Sequence, residues 1–150
     1  MEESRVRYLT QKEKQDTRSM YEAAFPEDSQ EFVDYYYHWK TRDNEIIVME
    51  GTEDFEDSIL QVMLHLNPYT LCINGKYQTI SYIVAVATFP KFRRQGKMNQ
   101  VMEYALRDME RKKVPFTFLL PADPAYYRGQ GFVYFPCQGL QSMGEGKVMK

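Results

Sequence analysis

The sequence predicts an α/β fold, in which helices flank a mixed β-sheet that is antiparallel early in the chain and parallel late. Apolar and polar residues alternate over residues 60–66, which is the period of a β-strand. Asn74-Gly75 is the strongest hairpin signal and joins two further strands. An apolar run at residues 82–88, an amphipathic helix and an apolar run at residues 114–120 follow, and this order predicts two parallel strands with a right-handed connection.

The first elements are a short strand and two helices. Residues 5–9 form the predicted strand. The sequence Thr10-Gln-Lys-Glu13 is a capping-box pattern and predicts a helix that runs to about Phe25, where Pro26 stops it. Residues 28–31 open the second helix in the same way.

Aromatic side chains are concentrated on this second helix. Because helical aromatics more often belong to a core, we expect Phe32, Tyr36 and Trp39 to pack on one buried face. The alternative is an acceptor pocket lined by Tyr35, Tyr36, Tyr37 and Trp39.

The remaining elements follow from the same signals. Asn67-Pro68 is expected to break the strand at residues 60–66, and a helix is expected from Met98 to Arg111. Asp123-Pro124 predicts the start of a short helix that ends at Gly129. Further strands are predicted at residues 44–50, 70–73, 77–88 and 132–137. We therefore expect one domain over residues 1–138, followed by a glycine-rich tail at 139–150 that is frayed or marks a truncation point.

Composition excludes several classes of protein. The 150 residues are 43% hydrophobic and 27% charged, as in a globular domain, and the net charge of −2 disfavours general binding to nucleic acid. No apolar stretch is long enough to cross a membrane, and the N-terminus lacks a signal-peptide pattern. The two cysteines have no metal-ligand spacing, so we expect free thiols, no metal and a cytoplasmic location.

The most informative segment is the basic turn between the strand at residues 82–88 and the helix that begins near Lys97. Lys91, Arg93, Arg94 and Lys97 lie where a helix prefers acidic residues. Backbone amides at a helix N-terminus, reinforced by cations, form an anion site. The turn lacks the glycines of a Walker A loop or a dinucleotide fingerprint.

The turn resembles the coenzyme A pyrophosphate loop of GNAT-type N-acetyltransferases, whose pattern is Arg/Gln-x-x-Gly-x-Gly/Ala. Gly96 fills the first glycine position, and Met98 stands where a second small residue is usual. The resemblance implies the GNAT acyl-CoA N-acyltransferase fold, acetyl-CoA as cofactor, and pantetheine binding by the end of the strand. The implied cofactor-binding residues are Val86, Ala87, Thr88, Arg93, Arg94, Gln95, Gly96, Lys97 and Met98.

A second motif extends the resemblance. Residues 120–132 are similar to the family's late Tyr-x-x-x-Gly-Phe motif, which implies that Tyr127 is the general acid for the departing thiolate; Tyr126 competes for this role. Together the motifs resemble the N-terminal domain of the Eis-like branch, which acetylates amines of aminoglycosides and lysine side chains and continues into further domains. Because this chain ends at Lys150, we expect a missing C-terminal domain or a homo-oligomer to cover the open sheet edge.

The predicted function is transfer of an acetyl group to a primary amine of a small molecule or peptide by direct attack. The general base stays open between Glu50, His65 and Asp123, with His65 placed on the polar face of its strand. Acidic residues at 53–57 could attract a cationic amine. The alternatives are a non-catalytic acyl-CoA-binding or regulatory domain and, more weakly, an RNA-binding module.

Overall fold

A computed structural model describes residues 3–53, 57–120, 127, 129–132, 134–135 and 148–149. Its main sheet has five strands in the order β1-β2-β3-β4-β5. The strands are β1 (Glu3–Tyr8), β2 (Glu45–Glu53), β3 (Asp57–Ile73), β4 (Lys76–Thr88) and β5 (Phe118–Leu119). Neighbouring strands are antiparallel except β4 and β5, which are parallel. The predicted mixed α/β fold is confirmed.

Helices cover both faces of this sheet. They are a 3₁₀ segment (Gln11–Thr17), α1 (Arg18–Ala24), α2 (Gln30–Trp39), a 3₁₀ turn (Lys40–Arg42) and α3 (Lys97–Arg111). The predicted first helix thus begins as a 3₁₀ segment, and Glu13 accepts a hydrogen bond of 2.9 Å from the Thr10 backbone N–H, as the capping-box pattern predicts. Ser29 caps α2 by accepting from the Phe32 N–H at 3.1 Å.

Two cores result, one on each face of the sheet. Beneath α3, buried side chains of the helix pack against one face of β2, β3 and β4; they include Val101, Met102, Ala105, Ile47, Leu64 and Ile83. Beneath α1 and α2, a second set packs against the opposite face; it includes Met20, Val33, Tyr36, Ile46, Val48 and Met63. The central strands are therefore buried on both faces.

This double burial corrects the prediction that His65 lies on a polar strand face. His65 is fully buried, and the Tyr36 hydroxyl lies 2.8 Å from its Nδ1 atom. Gln61 and Met63 on the same face of β3 are also fully buried. The alternation of apolar and polar residues predicted one buried face. The pattern of a strand carries no information about a second layer of helices that buries its polar side chains.

Burial of His65 predicts a pH dependence of stability. Burial, followed by the nearby charge of Lys14, lowers the pKa of His65 to about 3, whereas an unfolded histidine titrates near 6.5. Between these values only the unfolded chain takes up the proton, so the free energy of unfolding falls as the pH falls from about 6.5 toward 3, by up to about 1.4 kcal/mol per pH unit.

Urea unfolding between pH 7 and pH 4.5 measures this effect. We expect His65→Gln to show a shallower slope than the unaltered protein, while His38→Gln, at the other and exposed histidine, keeps the full slope. Equal slopes for the His65 variant and the unaltered protein would contradict the assignment.

Pro68 does not break its strand. β3 continues to Ile73, and Pro68 pairs in register with Ser81. β2 begins at Glu45, opposite Leu66, and does not extend alongside Pro68, so Pro68 lies in a two-stranded ribbon with a free edge. A missing N–H is tolerated at such an edge, which explains why the predicted break does not occur.

The aromatic residues of α2 divide differently from the prediction. Tyr36 is buried together with Val33 and Tyr37. Phe32 and Trp39 are exposed and do not belong to the core. The helix turns Val33, Tyr36 and Tyr37 toward the sheet, so the side chains on its other side face solvent.

The C-terminal part forms shorter strands than predicted. β5 pairs over only two residues, and β6 (Tyr134–Phe135) pairs antiparallel with β7 (Val148–Met149). Val148 and Met149 lie in the segment predicted to be a glycine-rich tail, and the frayed state of that segment stays a prediction. The predicted short helix after Asp123 and the tail at 139–147 lie outside the described residues. Among the described helices, none has the length and apolar character needed to cross a membrane.

Candidate active site

A bulge in β4 lies at the centre of the candidate site. Met63 pairs with Ala87 and His65 pairs with Val84, so Leu64 alone faces two residues of β4, Ala85 and Val86. Ala85 has a left-handed backbone with φ of +54°. Such a bulge leaves a residue unpaired and turns its backbone groups out of the ladder.

The parallel pairing of β4 with β5 is described at Tyr82 and Ile83. Its continuation along residues 84–88 would involve residues that follow Leu119, and of these residues 121–126 lie outside the described part of the chain. The predicted role of Val86, Ala87 and Thr88 requires that the two strands separate here, so that an extended ligand can pair with β4 as a strand would, and this role stays a prediction.

The basic turn that follows is fixed by its own contacts. Phe92 is 5% exposed and anchors a short 3₁₀ turn, Pro90–Phe92. The Arg93 Nε donates to the Thr88 carbonyl at 3.1 Å, and the Gln95 side-chain amide donates to the Lys91 carbonyl at 3.3 Å. The turn therefore holds its shape through contacts within the protein.

Gly96 ends the turn and caps α3. It has a left-handed backbone with φ of +74°, and a Cβ atom built on it would meet no protein atom within 4 Å. Glycine adopts this conformation without strain. The open space beside Gly96 leaves room for a ligand to approach the backbone amides at the start of α3.

The electrostatics of the turn agree with an anion site. The first turn of α3 contains no acidic residue, although acidic residues are favoured there. The Lys91 and Lys97 ammonium groups lie 5.4 and 5.8 Å from the centre of the Phe92 ring, so both are gathered around one buried anchor. Arg93 and Arg94 are exposed beside them.

One cavity of about 640 Å³ brings these features together. Its lining includes every predicted cofactor-binding residue except Gln95, together with Tyr127. Gln95 instead uses its amide inside the turn. The described lining residues are Ala24, Phe25, Val86, Ala87, Thr88, Phe92, Arg93, Arg94, Gly96, Lys97, Met98, Asn99 and Tyr127.

Tyr127 lines this cavity and also packs against Phe132. It is half-buried, and its ring centre lies 5.9 Å from that of Phe132 in an edge-to-face contact. Packing against Phe132 is therefore compatible with the predicted role of Tyr127 as a general acid. Tyr126 lies outside the described residues.

The two described candidates for a general base do not line the cavity. Glu50 is buried between Arg5 and Arg7, with N–O distances of 2.7 and 2.6 Å, and the hydrogen bond from Arg7 is the main cause that lowers its pKa. His65 is enclosed beneath α2. Asp123 lies outside the described residues, as do residues 54–56 of the acidic run.

Sequence reasoning missed one wall of the cavity. Ala24 and Phe25 come from the end of α1 and face the β4 bulge and the basic turn. Pro26 predicted that the helix ends near Phe25. It gave no indication of which strand this end of the helix faces. Asn99 was also missed; it accepts a hydrogen bond from the Gln130 side chain.

The fold and the basic cavity together define the class of protein. A sequence model of the family described as "Acetyltransferase (GNAT) domain" matches residues 5–135. The chain therefore belongs to the GNAT acetyltransferase family. No curated protein gives a significant match.

Solved structures share the fold. A probable N-acyltransferase of unknown function from Enterococcus faecalis V583 is similar over 88% of this chain and 32% of its own, with 20% identity and a TM-score of 0.75. A GNAT acetyltransferase from Brucella melitensis, in complex with acetyl-CoA, is similar over 87% of this chain and 83% of its own, with 20% identity and a TM-score of 0.69. A predicted acetyltransferase from Clostridium acetobutylicum, with acetyl-CoA, is similar over 87% of this chain and 90% of its own, with 12% identity and a TM-score of 0.70. The chain spans about a third of the Enterococcus protein.

Proposed function

We propose that this protein is an N-acetyltransferase that moves the acetyl group of acetyl-CoA to a primary amine of a small molecule or lysine side chain. The observation that carries the proposal is that the basic turn, the end of β4 and Tyr127 line one cavity. Membership of an acetyltransferase family supports the reaction type.

Acetyl-CoA is the acyl donor of this reaction. The family is one of acetyltransferases, and the Brucella relative was crystallised with acetyl-CoA. The residues present fit this group, because the start of α3 is cationic and the backbone at Gly96 is open to a ligand. Backbone amides of residues 94–98 would hold the pyrophosphate, while Val86, Ala87 and Thr88 would pair with the pantetheine arm.

Acetyl-CoA supplies a thioester carbonyl for attack by a neutral amine. A backbone N–H near Val86 or Ala87, turned out of the ladder by the bulge, would donate to the carbonyl oxygen as negative charge develops. Tyr127 would hold the proton that the departing sulfur needs. These roles require no covalent intermediate on the protein.

The wall at Ala24 and Phe25 supports a cationic acceptor. Phe25 lines the cavity and contacts Tyr21, with ring centres 5.0 Å apart. The next turn contains Glu27 and Asp28, and Asp28 accepts a 2.6 Å hydrogen bond from the Tyr21 hydroxyl. A protonated amine is attracted by such acidic and aromatic groups, so we propose that the acceptor enters from this side.

Acyl-CoA binding without transfer is the second candidate function. One observation favours it: the described lining contains no carboxylate or imidazole that could act as a base. Transfer does not strictly require such a base, since a water chain can remove the proton of the amine.

Binding and transfer measured on the same protein distinguish the two candidates. Calorimetric titration with acetyl-CoA gives the affinity, and thiol release in the presence of a panel of primary amines gives the turnover. Binding with turnover supports the transferase. Binding without turnover for any amine supports the binding domain, and an absence of binding contradicts both.

The branch of the family, the bounds of the domain and the location of the protein in the cell are part of the same proposal. The Tyr127 motif supports the Eis-like branch, and the family match at residues 5–135 supports an acetyltransferase domain over residues 1–138. Free thiol at Cys72 is consistent with a cytoplasmic protein.

A further inference from the structure

The outer side of α2 carries an aromatic stripe, defined as Phe32, Tyr35 and Trp39. Their exposed fractions are 43%, 48% and 53%, whereas Val33 and Tyr36 on the inner side are buried. Spacings of three and four residues place the three rings on one face of the helix, with the Phe32 and Tyr35 ring centres 6.4 Å apart. A row of large exposed aromatics on one element indicates an interaction surface.

Opposite charges stand at the two ends of this stripe. Glu31 lies one helical turn before Tyr35, and Arg42 follows Trp39 in the 3₁₀ turn that continues α2. The Arg42 guanidinium lies 4.5 Å from the centre of the Trp39 ring and donates to the His38 carbonyl at 3.1 Å. Glu31 and Arg42 are about 17 Å apart along the helix axis.

We propose that the aromatic stripe binds a second copy of this chain, with the two α2 helices antiparallel about a two-fold axis that passes between Tyr35 and Trp39. In this arrangement Glu31 of each copy faces Arg42 of the other, and the aromatic rings of the two copies pack between the two ion pairs. A parallel arrangement places like charges together. The charge order of α2 therefore selects the antiparallel dimer.

The size of the stripe sets the strength of this contact. Three aromatic side chains that are about half exposed offer roughly 300 Å² of surface. A stable interface buries about 800 Å² on each partner, so we expect a weak, reversible dimer. The dimer does not depend on acetyl transfer, so its test is independent of the proposed function.

Trp39 provides the readout, because it is the single tryptophan of the chain. Sedimentation equilibrium between about 10 and 1,000 μM is expected to show a monomer–dimer equilibrium, and Trp39 emission should shift to shorter wavelength over the same range as the ring is desolvated. Trp39→Ala should abolish the dimer. Tyr77→Ala, which removes a 78% exposed aromatic on the β3–β4 ribbon, is the matched control and should leave it unchanged.

A charge exchange tests the antiparallel geometry. The two-fold axis repeats the contact between Glu31 and Arg42, so either single variant, Glu31→Arg or Arg42→Glu, places like charges together at both contacts. Each single variant should raise the dimer Kd about 10-fold. The double variant Glu31→Arg/Arg42→Glu should bring the Kd back toward the original value. Circular dichroism confirms that each variant is folded before it is measured.

Three results would overturn the proposal. The first is a monomer at all concentrations, which would mean that the aromatic stripe does not bind a second copy of this chain. The second is a dimer that persists in the Trp39→Ala variant. The third is a double charge variant whose dimer is weaker than that of both single variants.

Discussion

Replacing Tyr127 with phenylalanine is expected to lower turnover about 10²–10⁴-fold, with little change in the affinity for acetyl-CoA. The substitution removes only the hydroxyl, so the packing of the ring against Phe132 is retained. A phenol is protonated at neutral pH and can give its proton to a departing thiolate. Steady-state kinetics and calorimetric titration of the same sample separate the two effects.

Tyr104→Phe is the matched control for this variant. Tyr104 is a half-buried tyrosine on α3 whose ring contacts Tyr8 and which does not line the described cavity. Its substitution should leave turnover unchanged. Unchanged turnover in Tyr127→Phe would remove this residue from the mechanism, and a comparable loss in Tyr126→Phe instead would move the acid to the neighbouring residue.

Replacing Gly96 with valine is expected to weaken acetyl-CoA binding on the order of 10²-fold, whereas Arg94→Ala should weaken it by no more than about 5-fold. A β-branched residue is strained at φ of +74°, and its side chain fills the space beside the backbone amides. Arg94 contributes one exposed charge. Calorimetric titration measures both affinities.

Gly75 offers a matched control for backbone strain. It has a φ of +77° and no protein atom near a built Cβ, as at Gly96, but it lies in the β3–β4 hairpin turn and does not line the described cavity. Gly75→Val should lower stability without changing the affinity for acetyl-CoA. If Arg94→Ala weakens binding more than Gly96→Val, charge and not backbone approach holds the pyrophosphate.

Local sequence signals predicted the central features of the candidate site. An apolar strand, a turn with a single glycine and an amphipathic helix are adjacent in the chain, so their spacing alone placed Gly96 at the start of α3. The parallel direction of β4 and β5 followed from the order strand, helix, strand along the chain. These inferences succeeded because the interactions that determine them are short in range.

Features that depend on distant parts of the chain could not be predicted. His65 is buried because α2 covers a face of the sheet that its own strand pattern marks as polar. Pro68 is tolerated because β2 begins opposite Leu66 and does not extend alongside it. Phe25 reaches the cavity from a helix about 60 residues before the bulge, and nothing in its local sequence indicates that contact.

The exposed side of α2 illustrates the same limit. Aromatic residues occur at helical spacing on both faces of α2. The sequence alone therefore could not show that Tyr36 is buried while Phe32 and Trp39 are exposed. Only the direction of the helix over the sheet decides which rings are buried. That direction leaves the aromatic stripe exposed.

A crystal structure of this protein grown with coenzyme A tests the central claim most directly. The account predicts a pyrophosphate within hydrogen-bond distance of the backbone amides at residues 94–98, beside Gly96, with the pantetheine arm along Val86, Ala87 and Thr88. Coenzyme A bound elsewhere, with those amides facing solvent, would contradict it.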